Sequence, residues 1–522
     1  MVQISRFLLQ GLIVIQTAII TFFLTSDEIN NVEIKIIYKN NSDMISEHIK
    51  ANDVPQPEFK TELKKELKTK TLKYWQICIN KWNVMGNLRS MDRIFERLGY
   101  EFVNASQGDD WDFLWSVEFP FQKNVAKEFD PIFMELKPHQ RINHFPGAFS
   151  ITNKVYMTTH NEKLSFVLPS FWLESMWDKF KAYVEKNPTK QMITKNMSNR
   201  GVRMIDPKDV KNNSEIKFVQ EFMSKPLLID ERMFDIGVYV VITSIDPLRV
   251  YRYNNDVLMR FCPEPFYPFD PKNRMKFVID DTHLDFLDAP SIRKYCDKYE
   301  FSAKLAFEAI LEEKGFSVED FWKSIEDAIV TLLLSSEKIF LREIKKYGSK
   351  RNYFELVRYD FILDENLKLY LMEVNQSPSM TPMNEKYESY TLMYQQIVYN
   401  TVKLVGIGSN MDLMSRYNKQ SSDMISNYKN IAVDAKQCVK NDCKNKCEAK
   451  GCETCLPCVA QEDLQQMHQS FQEHNNRGGF TRIFPNTENL PTTDQFQLSE
   501  RNKILKKWFI SKCKENKNWC TK

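Results

Sequence analysis

The chain has 522 residues, 43% of them hydrophobic, which is enough to bury a sizeable core in two or three compact lobes rather than one. Its 72 basic and 69 acidic residues leave a formal charge of +3, so there is no global electrostatic footprint for nucleic acid and no such partner is expected. With only 14 glycines a Gly-rich scaffold is excluded.

In chain order, the first feature is FLLQGLIVIQTAIITFFL, Phe7 to Leu24, without a charge. This predicts an N-terminal hydrophobic helix within residues 1–26, near the lower length limit for crossing a hydrocarbon core of about 30 Å. A cleaved signal peptide and a buried core helix remain open as alternatives. Arg6 before the segment and Asp27 and Glu28 after it favour a single-pass anchor with the rest of the chain luminal, in contact with the membrane through residues 7–24. Residues 27–75 read as a polar stem followed by a Lys/Glu-rich helix with Leu63, Leu67 and Leu72 on one face. An N-terminal lobe is expected over 76–143, a central lobe over 144–262 and a C-terminal lobe over 263–405, with a proline-dense loop at Pro263 to Pro271 and helices from Phe301 to Tyr347.

Residues 406–522 comprise a Lys/Asn-rich linker, a Cys-rich module and a basic tail. Cys438, Cys443, Cys447, Cys452, Cys455 and Cys458 crowd together, which reads as a disulfide-stapled module in an oxidising compartment. The two-residue gaps between Cys452, Cys455 and Cys458 leave a zinc site as the competing reading. Asn40, Asn104 and Asn212 sit in sequons that would accept sugar on the luminal side. The terminal RNKILKKWFISKCKENKNWCTK opposes eight Lys/Arg to Glu515, and is read as a solvated tail or as a contact for acidic tails or lipid headgroups.

The chemistry concentrates in FELVRYDFILDENLKLYLMEVNQSPS, Phe354 to Ser379. Phe354 to Leu363 and Leu367 to Val374 are rich in strand formers, and Asp364-Glu365-Asn366 carries turn chemistry, so a hairpin is expected. A turn centred near Asn366 puts Asp360 close to opposite Glu373, with Asn375 two residues along the same face. Three oxygen-bearing side chains on one face suit a hard divalent cation, Mg2+, which typically takes one or two carboxylates plus phosphates and waters. The plain alternative is a solvent-facing hairpin edge. Upstream, QMITKNMSNRGVRMID offers Lys195 and then Arg200-Gly201 in a polar loop able to cover phosphates. The strand-like run ending in Gln220, Glu221, Phe222 and Met223 could present backbone groups to an adenine.

Taken in order, HFPGAFSITNK, MITKNMSNRG, VQEFMSKPLLIDERMFDIGVYVVITS, LRVYRYNNDVLMRF and the EVNQSPS stretch resemble the tubulin–tyrosine ligase-like family over roughly residues 144 to 405, its polyglutamylase-type members above all. The resemblance implies an α+β, ATP-grasp-like two-lobed ligase domain that uses ATP and Mg2+ to activate a protein carboxylate as an acylphosphate and join an amino acid to it. Free glutamate and tubulin tails, or another acidic acceptor, would be the partners. By position, Asp360, Glu373 and Asn375 would hold the metal, Lys195, Arg200, Gly201 and Gln220 to Met223 the nucleotide, and Asp235 and Arg260 would face nucleotide and substrate as the catalytic pair.

Two departures stand out. The family's Lys-Phe-Asp-Ile-Arg block reads Met233-Phe234-Asp235-Ile236-Gly237 here, and its His-Leu-Thr-Asn element reads His283-Leu284-Asp285-Phe286. Losing one aimed cation can cost on the order of 3 kcal/mol of transition-state stabilisation. Besides an active ligase, the sequence therefore admits a membrane-tethered nucleotide-binding pseudoenzyme, or an interaction protein of the same fold.

Overall fold

The computed structural model describes residues 11–15, 18–22, 33–39, 44–50, 72–77, 91–103, 111–194, 201–211, 215–296, 298, 302–347, 350–380, 388–407, 419–487 and 496–520. They fall into two units, Met1–Thr71 and Leu72–Lys522.

In the first unit β1 (Gly11–Ile15) pairs antiparallel with β2 (Ala18–Phe22), and β3 (Glu33–Lys39) with β4 (Met44–Lys50). The hydrophobic helix expected at the N-terminus is thus replaced by a hairpin. GLIVI and AIITF are dominated by β-branched and other apolar residues, which favour a pleated strand as readily as a helix in so short a run. Among the described residues no helix is long and apolar enough to cross a membrane. The expected stem likewise contains strands, because EIKIIYK repeats apolar residues at period two. The helix expected from Phe59 falls largely outside the described residues, and its end is strand.

The second unit begins with β5 (Leu72–Ile77), β6 (Tyr100–Phe102), β7 (Phe113–Ser116) and β8 (Arg141–Ile142), a parallel sheet in the order β6-β5-β7-β8. Then α1 (Lys154–His160) leads to β9 (Ser170–Trp172), α2 (Leu173–Lys186), β10 (Met192–Thr194), β11 (Arg203–Ile205) and β12 (Phe218–Glu221). These four strands form an antiparallel sheet, β11-β10-β12-β9, and α2 buries Leu173 and Phe180 in a core with Phe171, Met192 and Val219.

The main sheet has eight strands. They are β13 (Leu228–Ile229), β14 (Arg232–Ile245), β15 (Leu248–Tyr253), β16 (Leu258–Phe261), β17 (Leu284–Asp285), β18 (Glu355–Leu363), β19 (Leu369–Gln376) and β20 (Phe480–Phe484). RMFDIGVYVVITSI makes β14 an almost wholly buried central strand, flanked by β16 then β15 on one edge and by β18 on the other. Between β17 and β18 runs α3 (Val318–Ile344), capped by Ser317 and packed on the sheet through a long apolar face. After β19 comes α4 (Glu388–Leu404).

The C-terminal region is built into this architecture rather than hanging from it. Its α5 (Gln461–Asn476) precedes β20, which pairs with β15. The basic end folds as α6 (Glu500–Glu515), burying Leu505, Trp508 and Phe509 against Ile431, Leu464 and Met467 instead of forming a solvated tail. Disulfides join Cys438 to Cys455, Cys443 to Cys452, Cys447 to Cys458 and Cys513 to Cys520. The sulfurs of Cys438, Cys443 and Cys455 lie within 4.8 Å of one another, but as disulfide atoms they offer no thiolate for zinc.

Candidate active site

Between the four-stranded antiparallel sheet and the main sheet lies a cleft of about 1190 Å³. That is just above the upper end of the roughly 300–1,000 Å³ typical of small-molecule pockets. One wall is apolar, with Leu168, Ile193, Phe222, Met223, Met233 and Ile362 in a single cluster.

The opposite wall is ionic and is assembled by strand register. On β14 Asp235 pairs with Arg260 of β16, which pairs in turn with Asp285 of β17. On β18 Asp360 lies opposite Glu373 of β19. Continuing the ladder from Leu363–Leu369 and Phe361–Leu371 without interruption would put Met372 opposite Asp360. A one-residue bulge brings Glu373 there instead, and so turns Glu373 and Asn375 toward the face that Asp360 uses. The amide of Asn375 donates to Asp360 Oδ2 at 2.8 Å and to Glu373 Oε1 at 3.3 Å.

Each carboxylate also carries a cation of the chain. Arg260 donates through Nε to Asp235 Oδ1 at 3.0 Å and through Nη2 to Asp360 Oδ2 at 2.8 Å. Arg358 binds Asp360 with Nε to Oδ1 at 2.6 Å and Nη2 to Oδ2 at 2.8 Å. Lys154, at the start of α1, bonds the Glu373 carboxylate. Burial pushes the Asp235 carboxyl up to about 6 against the pull of Arg260, and the charge on Asp360 adds to the rise. Burial opposes the charges on Arg260 and Arg358, but the neighbouring aspartates outweigh it and hold both guanidiniums protonated. His283, also in the cleft, is kept below its usual range by burial, and the two arginine charges act in the same direction.

The expected site residues are therefore placed unevenly. Asp235, Arg260, Asp360, Glu373 and Asn375 line the cleft, as do Gly201, Glu221, Phe222 and Met223. The Glu221 carboxylate is held by Lys190 at 2.5 Å and by Tyr183. Gln220 does not line the cleft: it is fully buried on β12 with Nε2 donating to Ser170 Oγ at 2.9 Å. Lys195 and Arg200 lie outside the described residues. Met233 occupies the apolar wall, and Asp285 caps the turn that follows β17, accepting from Leu287 N. Lys154 and Arg358 were missed, although Arg358 shares the face of Asp360 by period two and was readable on that ground.

The oxygen set of Asp360, Glu373 and Asn375 fits Mg2+, since three such groups lie within one amide's hydrogen-bond reach of each other and only one or two carboxylates are required. A site of this kind, with cations beside metal-ligating carboxylates, suits phosphate chemistry.

The model of the tubulin-tyrosine ligase family matches residues 133–413. A probable tubulin polyglutamylase of Caenorhabditis elegans, ttll-15, is 31% identical over 443 residues, which is 83% of this chain and 84% of that protein. The tubulin polyglutamylase ttll6 of Danio rerio is 27% identical over 441 residues, 80% of this chain but 51% of its own length. The tubulin monoglutamylase TTLL4 of Mus musculus is 29% identical over 310 residues, 53% of this chain and 24% of that protein. With more than half its length matched by the family model and the C. elegans relative aligned across most of both chains, this chain belongs to the tubulin-tyrosine ligase family.

Proposed function

We propose that the chain is an ATP-dependent glutamate ligase that extends or decorates acidic protein segments. The observation that carries this is the ionic wall itself: Asp235, Asp360 and Glu373 interleaved with Arg260, Arg358 and Lys154, in one cleft. Asp360, Glu373 and Asn375 would hold Mg2+, which supplies charge neutralisation and orientation for phosphoryl transfer. Arg260, fixed on Asp235, offers a preorganised cation toward the anionic groups that meet here. Phe222, Met223 and Met233 form the apolar wall on which a base can lie. In the reaction proposed, an acceptor carboxylate oxygen takes the terminal phosphoryl group of ATP with release of ADP, and the amine of free glutamate then displaces phosphate from the acylphosphate carbon to leave an amide.

Relatives named as tubulin glutamylases support tubulin tails as one acceptor. The four disulfides favour an oxidising compartment, and with it a luminal or extracellular acidic protein as acceptor. A second reading, nucleotide binding without transfer, rests on the fact that the chain's own cations already engage all three carboxylates.

The test is transfer of labelled glutamate to tubulin and to glutamate-rich peptides under Mg-ATP. Glu373→Gln should abolish transfer with the melting temperature unchanged. Transfer that survives the substitution would remove Glu373 from the site, and Mg-ATP binding without transfer to any acceptor would favour the second reading.

A further inference from the structure

Gly237 has no left-handed φ that would call for glycine, so its backbone tolerates a side chain. What forbids one is space. A Cβ at 237 would lie 2.8 Å from Arg358 Cδ, 3.1 Å from Arg358 Nε and 3.1 Å from Leu258 Cβ. The side chain of Arg358 comes from the neighbouring strand β18, crosses Gly237 and reaches the ionic wall of the cleft. There its guanidinium grips Asp360 in bidentate fashion and shares Oδ2 with Arg260. In the block that resembles Lys-Phe-Asp-Ile-Arg, the space over Gly237 is thus filled by an arginine delivered from β18.

We infer that Arg358 is a phosphate-binding cation of this cleft, standing in from β18 for the side chain that Gly237 lacks. This deepens the nucleotide reading above and rests on it. Arg358 lines the cleft beside the carboxylates that would hold Mg2+, with its guanidinium seated on Asp360. A phosphate chain reaching that metal would lie beside the guanidinium, and a planar guanidinium presents paired donors to phosphate oxygens in a way an ammonium cannot.

A reciprocal exchange tests the inference, read by calorimetry with Mg2+ and a non-hydrolysable ATP analogue, and by melting without nucleotide. Arg358→Gly should weaken analogue binding at least tenfold. Gly237→Arg alone should do the same, because the two side chains collide, whereas Gly237→Arg combined with Arg358→Gly should return to within threefold of the wild type. Arg358→Lys, which keeps a charge over Asp360 if Arg358→Gly fails to fold, should fall between. Wild-type binding left unchanged by Arg358→Lys and Arg358→Gly overturns the inference alone, as does a double variant no better than the product of the singles. A raised KM for glutamate with unchanged analogue affinity overturns the phosphate assignment in favour of the amino acid. A wild-type chain that binds no analogue overturns the functional reading, and this inference with it.

Discussion

At the scale of single residues, burial decides which charges this protein can keep. His474 on α5 stacks on Trp519 with ring centroids 3.8 Å apart, and burial, reinforced by Arg477, Arg482 and Lys512, lowers it to about 3. An unfolded histidine titrates near 6.5, so between that pH and 3 the unfolded chain binds the extra proton and the folded one does not. The stability this neutral ring contributes is therefore complete above pH 6.5 and is lost as the pH falls, by about 1.4 kcal/mol per pH unit. Melting followed by tryptophan fluorescence should show that slope, and His474→Phe, which stacks without titrating, should remove it. Arg358 teaches the complementary lesson about legibility. The sequence displays the missing cation at Gly237 plainly, yet the replacement is visible only when β14 and β18 are known to be neighbours, a pairing of residues more than a hundred positions apart.

At the scale of elements, the β18–β19 hairpin shows what pattern reading reaches and where it stops. The strands, the turn and the proximity of Asp360 to Glu373 follow from β-rich runs flanking Asp364-Glu365-Asn366. The bulge that makes the alignment does not, because an extra residue on one strand leaves composition and period locally intact. The turn is held by Asp364, whose Oδ1 accepts from Asn366 N and Lys368 N, each at 2.9 Å. Asp364→Ala should lower unfolding free energy by about 1–2 kcal/mol, one modest hydrogen bond each, read as an earlier midpoint in urea with the slope unchanged. Gln220 shows the same limit: the run 218–221 is a strand as its composition suggests, but the pattern does not say which of its residues line the cleft, and Gln220 is buried away from it.

At the scale of the whole molecule, the expected separation of 144–262, 263–405 and 406–522 runs through one sheet, since β14, β18 and β20 come from the three segments. Long-range pairing of this sort leaves no local trace in the sequence. The disulfides were legible as a class from cysteine density, and their setting can be checked in cells. Sugar sensitive to endoglycosidase on Asn104 or Asn212 is the expected result for an oxidising compartment, and cytosolic protease access with no sugar would count against it and favour the tubulin-directed form of the proposal. The C-terminal region is tied to the sheet by a fully buried pair, Arg249 Nε to Glu473 Oε2 at 2.9 Å, with Thr243 and Tyr251 donating to the same carboxylate. It also supplies β20, which lies along β15. That strand does more than decorate the fold: without it β15 would present a bare row of amide and carbonyl groups to other chains. Cleavage ahead of Phe480 would therefore leave the ionic cleft's own residues in place and yet yield a sticky protein, prone to self-pairing along the uncovered strand.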